Sequence, residues 1–166
     1  MKTILLSAVC LLGLSVGATA QATATATANA TVIAPITISN TANLNFGNIA
    51  VSATTGGTVV VVPAGTRSKT GGVTLTPGGT VGAATFTVNG SSGLTYSITL
   101  PSSAITLTGS VTGTMTADVF TSNPSATGTL TGGTSALSVG ATLNVAAAQA
   151  PGTYTSATFD VTVNYN

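Results

Sequence analysis

Residues 151–166 read PGTYTSATFDVTVNYN, and their spacing decides the fold. Ala157, Phe159, Val161, Val163 and Tyr165 alternate with Ser156, Thr158, Asp160, Thr162 and Asn164. A period of two predicts a strand, Thr153–Tyr165, with one buried face and one wet face. The strand runs up to the last residue, Asn166, and leaves no tail after it.

Upstream, similar segments recur between Gly, Asn, Ser and Pro residues. Strands are expected at Asn29–Ser39, Leu44–Ala50, Thr58–Val62, Gly72–Thr76, Ala83–Asn89, Leu94–Leu100, Ala104–Thr108, Thr114–Phe120 and Ala136–Ala146. Pro63, Pro77, Pro101, Pro124 and Pro151 fall in the gaps or at strand ends, where a missing N–H does no damage. Asn89–Gly93 (NGSSG) reads as a hairpin turn, and residues 122–135 as a long loop or an edge strand. Thr makes up about a fifth of the chain, which suits strands. Many short strands and no helical period predict an all-β sandwich of one domain.

The other end of the chain carries a different signal. Met1-Lys2, the apolar run Ile4–Val16 and Ala18-Thr19-Ala20 fit a secretory signal, with residues 1–20 removed. The apolar run is too short to be a membrane span, so none is expected after signal removal. Removing the first 20 of 166 residues leaves 146, one domain's worth, and takes away Cys10. The exported domain then has no disulfide and rests on its core and its ladders.

Charge is nearly absent: Arg67, Lys69, Asp118 and Asp160 are all that remain of it. Nucleic-acid binding requires a basic surface, so that class is excluded. No His, no Glu and no mature Cys strip the chain of most general bases, nucleophiles and metal ligands. No enzyme, metal or cofactor is expected. Asp118 and Asp160 read as solvated surface, and Arg67-Ser68-Lys69 as a solvated loop. The pairs Gly56-Gly57, Gly71-Gly72, Gly78-Gly79 and Gly132-Gly133 lack a following Gly-Lys-Ser/Thr and read as turns. Asn29-Ala30-Thr31 and Asn89-Gly90-Ser91 are formal glycosylation sequons.

From Gln21 the chain reads QATATATANATVIAPITIS. Its even positions, from Ala22 to Ile38, are all apolar or small. Seventeen residues in one register span about 56 Å at roughly 3.3 Å each, longer than a sandwich strand. Residues 21–29 are therefore expected either to bend away or to project as an N-terminal extension, and residues 30–166 to form the domain. A projecting strand-prone segment is a candidate to complete another sheet's edge, with Ala22, Ala24, Ala26 and Ala28 as its inserted face.

These two termini resemble those of chaperone–usher pilins. Gly152 stands fourteen positions before the end, Val161 and Val163 alternate after it, and Tyr165 is the penultimate aromatic. LNFGNI at Leu44–Ile49 resembles a segment of spore-coat-U-like secreted proteins. The chain as a whole resembles a bacterial family of secreted, pilin-like proteins, the domain of unknown function 4402. The resemblance implies an immunoglobulin-like, pilin-like β-sandwich whose last strand borders an open groove, with Gly152, Phe159, Val161, Val163 and Tyr165 lining it. It further implies export through the periplasm to a surface fimbrium, with a chaperone, an usher and other pilin-like subunits as partners. Two features depart from that pattern: the absent Cys pair, and the alanines of the donor segment, which offer methyl groups only. Val32, Ile36 and Ile38 supply larger side chains if they are free of the domain's own core. Alternative readings are a non-polymerising secreted sandwich that binds a surface or glycan, and a Thr array of the kind that binds ice. The latter needs a sustained repeat, and TATATAT occurs once.

Overall fold

The computed structural model describes residues 20–166 of the chain, and fifteen strands lie among these described residues. They are β1 Thr37–Ala42, β2 Asn45–Phe46, β3 Ile49–Val51, β4 Gly57–Val61 and β5 Arg67–Gly71. There follow β6 Val73–Leu75, β7 Val81–Gly82, β8 Ala84–Asn89, β9 Thr95–Thr99 and β10 Ile105–Gly109. The last five are β11 Thr114–Asn123, β12 Thr127–Thr129, β13 Thr134–Val145, β14 Tyr154–Ser156 and β15 Thr162–Tyr165. The expected signal lies outside the described residues apart from Ala20. No helix among the described residues is long and apolar enough to cross a membrane.

β13 organises the larger sheet. Along one edge it pairs antiparallel with β11. Its other edge is divided, Thr134–Val139 pairing with β8 and Ala141–Val145 with β4. Gly140 stands at the division, where a Cβ would strike the Val61 carbonyl oxygen. The alternation of β13 explains its burial: Leu137, Val139, Ala141, Leu143 and Val145 face the core, while Ser138, Thr142 and Asn144 face outward. The sheet ends in β1 on one side and β14 on the other, with β5 outside β4. A three-stranded sheet, β12-β9-β15, covers part of it. Tyr96 of β9 is fully buried, and its hydroxyl donates to Ser135 Oγ of β13 at 2.9 Å, tying one sheet to the other.

The fold is therefore all-β, a sandwich-like single domain, with residues 33–166 as one compact unit. Its core has two parts. One gathers Val59, Val73, Leu107, Met115 and Leu143. The other gathers Val88, Tyr96, Leu130, Leu137 and Val163. Residues 20–32 belong to a separate unit, are exposed and carry no strand.

Several expectations need correction. The strand expected at Asn29–Ser39 begins only at Thr37, where β8 offers a partner. Ile36 and Ile38 pack into the domain's own core. The NGSSG segment is not a hairpin: β8 lies in the large sheet and β9 in the small one, so it arches between them. Residues 122–135 are neither one loop nor one strand but the end of β11, the edge strand β12 and the start of β13. Arg67-Ser68-Lys69 is not a loop but part of β5, paired with β4. The C-terminal strand is two strands. β14 pairs with β10 in the large sheet, residues 157–161 cross over unpaired, and β15 pairs with β9 in the small sheet.

Candidate functional site: a groove with unpaired banks

The crossing of the C-terminal segment leaves a groove of about 980 Å³ in the domain. One bank runs from Asn43 to Val51 and the other from Gln149 to Phe159. The floor is apolar, made by Ala84, Phe86, Ile105, Leu107, Met115 and Leu143. No charged side chain among the described residues lines it.

Each bank is held from behind. In the first, β2 pairs with β7 and β3 with β6. Gly47 turns the chain between them at φ 70°, where a Cβ would meet the Arg67 guanidinium at 2.5 Å. Arg67 donates from Nη1 to the carbonyls of Phe46 (2.7 Å) and Asn48 (3.0 Å), and from Nη2 to that of Thr76 (2.8 Å). The planar fork thus gathers three carbonyls, of which that of Asn48 also accepts Thr76 N–H at 3.2 Å. This kink breaks the period of two, so that Leu44, Phe46, Ile49 and Val51 are all half-buried.

The second bank is fixed by Tyr154. Its hydroxyl donates to the Ala150 carbonyl at 2.7 Å and accepts from Gln149 Nε2 at 2.8 Å. Gln149 Nε2 also lies 3.2 Å from the Thr114 carbonyl. Ser110 N–H donates to the Thr153 carbonyl at 2.8 Å. Alternation along an antiparallel ladder then turns Thr155 toward β10, and the main-chain groups of Tyr154 and Ser156 toward the groove.

The banks are joined at one end, where Ala148 N–H donates to the Ser52 carbonyl at 2.9 Å. Between that tie and Phe159, no backbone hydrogen bond among the described residues links Asn43–Val51 to Gln149–Phe159. Unpaired strand edges over an apolar floor accept an extended backbone: main-chain bonds hold it and alternate side chains fill the floor.

Of the residues expected to line a groove, Gly152 and Phe159 do so. The Phe159 ring packs on Phe120, with centroids 5.3 Å apart. Val161, Val163 and Tyr165 lie elsewhere, packed with the core around Tyr96 and Leu130. Tyr165 ends in a polar tie: its hydroxyl donates to the Ala34 carbonyl (2.9 Å) and accepts from Ser91 N–H (2.7 Å). Ala22, Ala24, Ala26 and Ala28 are exposed and unpaired. Asp118 accepts from Asn144 Nδ2 at 3.0 Å, whereas Asp160 is exposed. Sequence reasoning missed the Arg67 clamp and the first bank, whose signal was the LNFGNIAV run with its alternation shifted by one at Gly47.

The model of a family described as a domain of unknown function (DUF4402) matches residues 36–165. No curated protein matches the chain, and no solved structure does.

Proposed function

The chain belongs to the DUF4402 family of domains of unknown function, and on that premise we propose that it is an exported structural or adhesive surface subunit of fimbrial type, assembling by β-strand addition. One observation carries the reading: an uncharged groove with an apolar floor whose two banks both present unpaired strand edges. The contrast with another edge supports it. β5 is an edge strand that carries the exposed Lys69, the kind of charge that guards an edge against pairing. β14 carries only Tyr154, Thr155 and Ser156.

The occupant is the extension of a second copy. Residues 21–32 are exposed, uncharged and alternate in sequence. Because Ile36 and Ile38 are used by their own domain, Val32 is the one large side chain on the alanine face, and it is 95% exposed. Burying an Ala methyl contributes about 0.8 kcal/mol and a Val roughly 1.5–3 kcal/mol, so Val32 equals two or three of the alanines. In this reading a periplasmic chaperone lends a strand to the groove, and an usher exchanges it for the next subunit's extension.

Deleting Gln21–Asn29 from the mature chain tests the reading. Self-association and filament incorporation are expected to be lost while the domain stays folded. Assembly that persists unchanged contradicts it.

A further inference from the structure

We infer that Asn29 is the residue at which this chain accepts an N-linked glycan, and that Asn89 does not accept one, although both stand in Asn-x-Ser/Thr sequons. The inference rests on export but not on the groove. Transfer joins the Asn Nδ2 to the anomeric carbon of an oligosaccharide carried on a lipid diphosphate. One C–N bond forms, the sugar–phosphate C–O bond breaks, the lipid diphosphate leaves, and the amide proton passes to the medium. The transferase has to draw the sequon into its cleft as free backbone, with the Ser or Thr hydroxyl open to it.

The two sequons differ in every one of those respects. Asn29, Ala30 and Thr31 are each exposed and lie outside any strand. Neither the Asn29 carboxamide nor the Thr31 hydroxyl has a hydrogen-bond partner among the described residues. Asn89 has an exposed side chain but a backbone held on both sides, opposite Thr37 of β1 and Thr134 of β13. Gly90 N–H donates to the Gly133 carbonyl at 2.9 Å. Ser91 is used twice: its Oγ accepts from Ala34 N–H at 2.9 Å and its N–H donates to the Tyr165 hydroxyl. Freeing the second sequon therefore means breaking a ladder end and the tie between Ala34, Ser91 and Tyr165. Freeing the first breaks no hydrogen bond among the described residues.

The test uses the purified, folded mature chain, a lipid-linked oligosaccharide, and a single-subunit oligosaccharyltransferase that requires only Asn-x-Ser/Thr. Intact mass is expected to rise by one glycan, mapped to the peptide holding Asn29. Asn29→Gln is expected to abolish the gain, and Asn89→Gln to leave it. No added mass, a glycan on Asn89, or glycans on both residues overturns the inference.

Discussion

The Tyr165 hydroxyl donates to the Ala34 carbonyl at 2.9 Å, joining residues 131 positions apart in the chain. The same oxygen accepts Ser91 N–H at 2.7 Å, and Ser91 Oγ in turn accepts Ala34 N–H at 2.9 Å. Both main-chain groups of Ala34 are thereby held at the end of the domain. The penultimate aromatic, expected to line the groove, instead anchors the segment that leads into β1.

Tyr165→Phe keeps the ring in the core and removes the hydroxyl. Two hydrogen bonds are lost, each contributing about 0.5–1.5 kcal/mol, so stability is expected to fall by roughly 1–3 kcal/mol. Amide exchange at Ser91 is expected to speed up. An unchanged exchange rate at Ser91 would show that the tie does not hold the segment.

Arg67→Lys keeps the charge but replaces a planar fork with a single ammonium, which cannot reach three carbonyls in the same geometry. Hydrogen bonds to charged groups contribute about 1.5–3 kcal/mol each, so a loss of roughly 2–3 kcal/mol is expected in urea unfolding. The amide signals of Phe46–Asn48 are expected to broaden or shift more than those of β13.

Leu137→Ala and Phe159→Ala separate core from groove. Leu137 is fully buried, and its truncation is expected to cost about 2–5 kcal/mol. Phe159 is half-buried beside the groove, at the margin of the core and against Phe120, so its loss is expected to cost less in stability and more in assembly. The reverse order of unfolding midpoints would move Phe159 into the structural core.

The fold was legible because Thr and Val alternate so consistently: seven strands, from β4 to β13 apart from β5, β7 and β12, lie within or close to segments marked by period alone. What escaped was set by pairing over distance. Nothing local in Thr155–Tyr165 shows that Tyr154–Ser156 joins β10 while Thr162–Tyr165 joins β9. The inward residues are even-numbered in β14 (Tyr154, Ser156) and odd-numbered from Phe159 to Tyr165, so Ala157, expected to be buried, is exposed, and Tyr154 alone signalled the change of phase. Arg67 was hidden for a related reason: its three acceptors are main-chain carbonyls, which any residue supplies. Phe159 was legible as a groove residue, and Val163 was misplaced, because period gives the face but not which sheet covers it.

Ser156→Pro probes the free edge of β14. Its N–H faces the groove rather than β10, so proline removes no bond from the existing ladder. A small stability change is expected together with loss of self-association. Assembly at the unaltered level would show that the edge is not used.

Amide hydrogen exchange across the groove tests strand addition itself. A synthetic peptide of residues 21–33 is added to the mature chain lacking Gln21–Asn29. Exchange is expected to slow at Tyr154 and Ser156 on one bank and within Ile49–Val51 on the other, with β5 unaffected. Exchange unaltered at both banks with the peptide in large excess contradicts it.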